Sequence, residues 1–218
     1  MMRYALTSSE QGLILVDRYG QKPPLRIDYT SKSFNQRRRH LTPKHEQLIK
    51  AVNQKPGATV LDMTAGLGFD AFILASYGHQ VVMIERSKVV YLLVKDALKR
   101  AALVEELIPT VSRMQLLLGD STQQAWQEQK FDVAVIDPMF DAKKKSALPV
   151  GSMQMLQAFL GSGAELQPFF DAARARGIPR TLIKRPRVAQ YQLAGGQRPV
   201  YQLMGRSHRW DVFFNQVS

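Results

Sequence analysis

A chain of 218 residues with 45% apolar content is long enough to bury one sizeable core, which excludes disorder as the default. Thirty Lys and Arg against 18 Asp and Glu give a formal net charge of +12, pointing to a polyanionic partner, with solubility alone as the plainer reading. The absence of cysteine excludes disulfides, thiolate metal sites, iron–sulfur clusters and a cysteine nucleophile, and no apolar run approaches the ~18 residues of a membrane span.

In chain order, residues 3–6 and 13–16 read as short strands broken by Ser8-Ser9 and Tyr19-Gly20, with a further strand at 25–29 after Pro23-Pro24. Residues 1–40 are therefore expected to form a small β-rich N-terminal subdomain ending in a basic linker, Asn35-Gln36-Arg37-Arg38-Arg39-His40. That linker has no apolar periodicity, so Arg37, Arg38 and Arg39 are either phosphate contacts or a solvated connection. Thr42-Pro43 offers an N-cap and a proline at the first helical position, and Leu48, Ile49 and Val52 supply one apolar face, predicting a helix over 42–53.

From Ala58 the pattern alternates between strands and helices, so residues 41–218 are expected to form one α/β domain on a mostly parallel sheet. Strands are predicted at 59–63, 80–85, 114–118, 132–136 and 181–184. Helices are predicted at 70–77, 88–102, 152–160 and 165–176, with a short one from Ser121 to 129. The tail, 200–204 and 209–214, reads as a terminal antiparallel hairpin.

The chemistry gathers at the predicted strand ends. Asp62-Met63-Thr64-Ala65-Gly66-Leu67-Gly68-Phe69-Asp70 takes an apolar strand into a glycine turn and then a helix. Gly66 and Gly68 carry no Cβ to keep a ligand from the backbone, and the helix that follows points its amide end at the same spot. Glu85 ends the next strand, where a carboxylate can accept both ribose hydroxyls of a nucleoside. Asp120 and Ser121 close the third strand and can meet an adenine amine. Any one of these acids is more often a cap or a turn residue, but their succession at strand ends points to a nucleoside site, which a nicotinamide enzyme would share.

Asp137-Pro138-Met139-Phe140 separates these readings, because it resembles the D/N-P-P-Y/F/W motif of S-adenosylmethionine-dependent amino methyltransferases, at the same place after the fourth strand. A base's exocyclic amine is conjugated and weakly nucleophilic, so its hydrogens need acceptors, here Asp137 and the Pro138 carbonyl. Phe140 can stack on the base. The plainer alternative is a strand-ending turn with a core aromatic.

Taken together, Asp62 to Asp70, Glu85-Arg86, Asp137 to Phe140 with residues 143–147, Lys184-Arg185-Pro186 and His208-Arg209-Trp210-Asp211 resemble the J-type small-subunit ribosomal RNA guanine-N2 methyltransferases. The resemblance implies a Rossmann-like class I methyltransferase fold and S-adenosyl-L-methionine as cofactor, with no metal. It implies cofactor binding at Phe69, Asp70, Glu85, Arg86, Asp120, Ser121 and Asp137, to which the glycine turn adds Thr64, Gly66 and Gly68, while the D-P-M-F motif puts catalysis at Asp137, Pro138 and Phe140. The implied reaction methylates a guanine exocyclic amine in 16S rRNA, with naked rRNA or the small ribosomal subunit as partner. Lys143, Lys144, Lys145, Lys184, Arg185 and Arg187, with Arg206 and Arg209, can ring the mouth of the site as RNA contacts. A DNA adenine, a protein amide, or a non-catalytic RNA-binding assembly factor are the other readings, and a cytoplasmic location is expected in the absence of a signal-peptide layout.

Overall fold

The computed structural model describes residues 3–123, 129–138, 151–161, 165–190 and 193–215, and only the backbone of 151–153. Strands β1 (Tyr4–Ser9) and β2 (Gly12–Asp17) form an antiparallel hairpin. The strand expected at 25–29 is not formed. Leu25 makes a single bridge to Leu15, and the chain then turns inward to bury Ile27 and Tyr29 in the main core.

The expected basic linker is instead a helix, α1 (Lys32–Arg39), with Arg37, Arg38 and Arg39 in its last turn, where cations suit the helix dipole. Its one buried side chain, Phe34, packs on Tyr29, Phe69 and Phe72 with ring centroids 6.1, 5.0 and 5.6 Å away. Burying one such ring contributes about 1.5–3 kcal/mol, enough to anchor a short helix that shows no apolar stripe. The helix expected from Thr42 starts later, as α2 (Gln47–Val52). The Thr42 carbonyl accepts from the amides of His45 and Glu46, closing a turn, while Glu46 is extended and caps α2 by accepting from the Leu48 amide at 3.3 Å.

The main domain then runs β3 (Thr59–Asp62), α3 (Phe69–Tyr77), β4 (Gln80–Glu85), α4 (Lys88–Ala101), α5 (Ile108–Val111) and β5 (Met114–Leu118). It continues with β6 (Val133–Ile136), α6 (Gly151–Leu160), α7 (Leu166–Ala175), β7 (Arg180–Pro186), β8 (Tyr201–Met204) and β9 (His208–Phe214). The short α5 had no signal in the sequence pattern. Ser121 to Gln123 form a turn, because the Ser121 hydroxyl donates to the Met63 carbonyl at 2.6 Å and is not free to cap a helix. The rest of that expected helix, 124–128, lies outside the described residues.

One seven-stranded sheet has the order β5-β4-β3-β6-β7-β9-β8, parallel except for β9, which runs antiparallel to both β7 and β8. The order reverses between β3 and β6, which leaves a crevice beyond their carboxyl ends. β4 and β6 are buried almost throughout, as two-sided strands require. On α4, Val90, Leu93, Val94, Ala97 and Ala101 recur at helical spacing and face the core, while Ser87 caps the first turn. The outer side of α4 holds the N-terminal hairpin: Asp96 accepts from the Leu13 amide at 3.1 Å, and Arg100 donates to Asp96 at 2.9 Å and to the Ile27 carbonyl at 2.6 Å. The N-terminal residues thus share one core cluster with the sheet.

Candidate active site

The turn between β3 and α3 requires glycine at two places. Gly66 has φ 51° and Gly68 φ 72°, in the left-handed region that other residues rarely adopt. A Cβ on Gly68 would also collide with the Tyr29 hydroxyl, which donates to the Leu67 carbonyl at 2.8 Å while its ring stacks on Phe72 at 4.5 Å. Tyr29, an N-terminal residue, therefore shapes the turn from beneath.

Two bonds fix the neighbouring strand ends to this turn. The Glu85 carboxylate accepts from the Gly66 amide at 3.0 Å and the Ser87 amide at 2.7 Å. The Asp137 amide donates to the Thr64 hydroxyl at 2.7 Å. Asp120 accepts from the amide and hydroxyl of Thr122, which hold its carboxyl below the usual range.

The result is a cleft of about 480 Å³ at the reversal point. Thr64, Gly66, Gly68, Phe69, Asp70, Glu85, Arg86, Asp120, Ser121, Asp137 and Pro138 all line it, so the residues singled out from separate strand ends come together in one space. Phe140 and Lys143 to Lys145 lie outside the described residues. Asp62 is a cleft residue that sequence reasoning did not select, although it ends the apolar run before the glycine turn. Leu156 and Leu160 from α6 and Phe169 from α7 add an apolar wall beside Gln157, on helices that the sequence predicted without assigning these residues to the site.

Lys184 and Arg185, expected as RNA contacts, are taken up inside the protein. Successive residues of β7 face opposite sides of the sheet. Lys184 donates to Asp70 at 2.9 Å and to Asp137 Oδ2 at 2.7 Å, with its ammonium 5.3 Å from the Trp210 ring centre. Arg185 is buried, 3.5 Å from Asp211. Arg209, also expected at the mouth, is buried as well: it pairs with Asp211 at 2.7 Å and donates to the carbonyls of Arg187, Ala189 and Gln190. Of the α1 arginines, Arg37 pairs with Glu46 at 2.8 Å and reaches Asp70 at 3.5 Å, Arg38 reaches Glu106 at 3.5 Å, and Arg39 is exposed.

In a strongly basic chain this cleft is acidic. Among the described residues, five carboxylates, Asp62, Asp70, Glu85, Asp120 and Asp137, line it against two cations, Arg86 and Lys184. Burial, aided by Asp70, Asp137 and Glu85, pushes the Asp62 carboxyl up to about 7, although the Thr64 amide bond works the other way. Burial likewise raises Glu85. It raises Asp137 to about 6, opposed by Lys184 and reinforced by Asp70. Asp70 is also desolvated, but Lys184 and Arg37 outweigh that and hold it below the ordinary carboxylate range. Concentrated, poorly solvated negative charge of this kind suits a cationic ligand.

This sheet order, with a glycine turn after the central strand and acids at the adjoining strand tips, defines a class I S-adenosylmethionine-dependent methyltransferase. Residues 1–215 match the family described as "Putative SAM-dependent methyltransferase". The chain is 37% identical over 215 residues to ribosomal RNA small subunit methyltransferase J of Ectopseudomonas mendocina, covering 96% of this chain and 82% of that one. The protein of the same name from Saccharophagus degradans is 37% identical over 227 residues, covering 96% and 83%. The crystal structure of the SAM-dependent methyltransferase NGO1261 from Neisseria gonorrhoeae superposes with a TM-score of 0.75 at 31% identity, covering 99% of this chain and 84% of that one. The chain belongs to the ribosomal RNA small subunit methyltransferase J family. Its cofactor is S-adenosyl-L-methionine, whose positively charged sulfonium and ammonium groups fit the acidic lining. Among the described residues no cluster of three or more His, Asp or Glu could hold a metal, and no helix is long and apolar enough to cross a membrane.

Proposed function

We propose that this chain methylates the exocyclic N2 amine of a guanine in 16S ribosomal RNA, in the cytoplasm. The observation that carries the reading is the position of Asp137. It leaves β6 into a proline, its amide is tied to the glycine turn through Thr64, and its carboxylate stands in the same acidic cleft as Glu85 and Asp70. The small-subunit RNA named for the relatives supports the substrate class.

When bound, the cofactor supplies a methyl group already activated by its positive sulfur, so the protein's task is chiefly one of position. Glu85 is set to accept the ribose hydroxyls, because the two backbone amides it binds leave lone pairs on both of its oxygens. Asp70 offers negative charge to the cofactor's ammonium, and Asp62 does so once it releases its proton. Asp137 and the Pro138 carbonyl accept the amine's hydrogens, and Asp137 takes the proton that the nitrogen sheds. Arg39, Arg86, Arg187 and Arg206 are exposed and are the proposed contacts to the RNA backbone.

The test is transfer of labelled methyl onto naked 16S rRNA and onto small subunits, followed by nucleoside analysis. N2-methylguanosine in the wild type, falling ~10²-fold or more with Asp137→Asn while cofactor binding persists, is the expected result. Label in N6-methyladenosine or in protein would move the reaction to another amine, and no transfer with intact RNA binding would make the chain an assembly factor.

A further inference from the structure

Lys184 stands at a junction that the proposed reaction does not by itself explain. It sits on β7 directly opposite Trp210 of β9, with its ammonium over that ring and bonded to two carboxylates of different origin. Asp70 comes from the first turn of α3, on the cofactor side of the cleft. Asp137 comes from the end of β6, on the amine side. An ordinary structural ion pair matches one acid to one base. Here one cation serves two acids, and a second cation, Arg37 from α1, which also pairs with Glu46, reaches Asp70 but not Asp137.

We infer that Lys184 is a positioning residue for Asp137: it fixes one carboxylate oxygen, so that the other is held as acceptor for the incoming amine, and it links that acceptor to the acid beside the cofactor. The inference rests on reading the cleft as a methyl-transfer site. The asymmetry of the charges gives it content. The groups that face Lys184 are Asp70 from α3, Asp137 beyond β6, His208 from β9, and, through Asp70, Arg37 from α1 with Glu46 ahead of α2; Asp62 of β3 faces both acids. Without Lys184, Asp70 retains Arg37, but the carboxylate of Asp137 faces Asp70 and Asp62 with no cation bonded to it among the described residues. The proton that the pair then keeps belongs on Asp137, which disables it as an acceptor.

A phosphate-binding lysine behaves differently, since its loss weakens RNA affinity and lowers the salt slope by about one without moving a pH profile. The experiment compares Lys184→Met and Lys184→Arg with the wild type in three measurements. These are turnover against pH on saturating 16S rRNA, RNA affinity against salt, and carboxyl titration by NMR in the cofactor-free protein. For Lys184→Met we expect turnover at pH 7 to fall by ~10-fold or more and the acid limb to move up by about one pH unit, with the Asp137 carboxyl titration moving the same way. Lys184→Arg restores most of the turnover and returns the titration toward the wild type, and RNA affinity and salt slope stay unchanged.

An unaltered Asp137 titration, or a loss confined to RNA affinity and salt slope, overturns the role. Should Lys184→Met fail to fold, Lys184→Gln carries the same titration test. The titration needs no substrate, so it still decides on Lys184 if the wild type labels no rRNA, an outcome that counts against the guanine reading alone.

Discussion

The backbone amide of Asp137 donates to the side-chain hydroxyl of Thr64 at 2.7 Å, which joins the turn after β6 to the turn after β3 across the sheet's reversal point. Removing that acceptor loosens the amine-side acid without touching it. Thr64→Val is expected to lower turnover by on the order of tenfold or more, as misplacement by ~1 Å can cost ~10²-fold. Thr64→Ser should remain near wild type, and both should melt within about 1–2 kcal/mol of it. Single-turnover methylation beside thermal melts would check this.

Gly68→Ala meets two penalties. Left-handed backbone costs a residue with a Cβ roughly 1–2 kcal/mol, and the Tyr29 hydroxyl occupies the space the methyl needs. The double variant Gly68→Ala/Tyr29→Phe should recover the steric part but keep the conformational one, at the further loss of the bond to the Leu67 carbonyl. Denaturant unfolding of the two single variants and the double variant would separate the contributions through their coupling energy.

Asp62 makes stability depend on pH in a definite direction. In the folded chain its carboxyl keeps its proton up to about 7, whereas an unfolded aspartate releases it near 3.9. Between those values the folded state binds more protons, so stability falls as pH rises, and the full cost, on the order of 2–4 kcal/mol, is present above pH 7. Glu85 and Asp137 move the same way. Asp62→Asn should therefore stabilise the cofactor-free protein at pH 8 and have little effect at pH 4, in melts recorded across that range. It should also weaken cofactor binding measured by calorimetry.

Arg209 holds the chain past β7 in shape, its buried guanidinium meeting Asp211 and the carbonyls of three residues between 187 and 190. Arg209→Met takes the nearer cation from buried Asp211, which keeps Arg185 at 3.5 Å and the Gln202 amide at 2.7 Å, and frees those carbonyls, a change expected to cost ~1–3 kcal/mol. Trypsin should then cut after Arg187 faster than in the wild type, a difference readable on a gel before any assay of activity.

The sheet was legible because β4 and β6 are continuous apolar runs that end at acids, and because Gly66 and Gly68 sit where only a sharp turn fits. The acids were legible because strand ends in an open α/β sheet share one crevice. What escaped was decided at long range. Phe34 is one ring in a run of polar residues, and only the distant Phe69, Phe72 and Tyr29 make it an anchor. Glu46 caps α2 through an extended backbone that Thr42-Pro43 concealed. Lys184, Arg185 and Arg209 carry the same charge as a phosphate contact; the inward paths of Lys184 and Arg185 depend on Asp70, Asp137 and Asp211 from other elements, and that of Arg209 on Asp211 two residues along its own strand and on the carbonyls of Arg187, Ala189 and Gln190. Charge counts alone cannot distinguish a cation that faces solvent from one enlisted by the interior.

The alternating series Glu46, Arg37, Asp70, Lys184, Asp137 runs from the outer helix α1 to the base of the cleft. A fragment cut at residue 41, where composition alone would draw a boundary, forfeits the guanidinium that steadies Asp70 and the phenol beneath the glycine turn. Trimming this protein to a minimal catalytic piece is thus a matter of its electrostatic wiring. The shortest useful version is the one that still takes up cofactor, whatever its melting curve says.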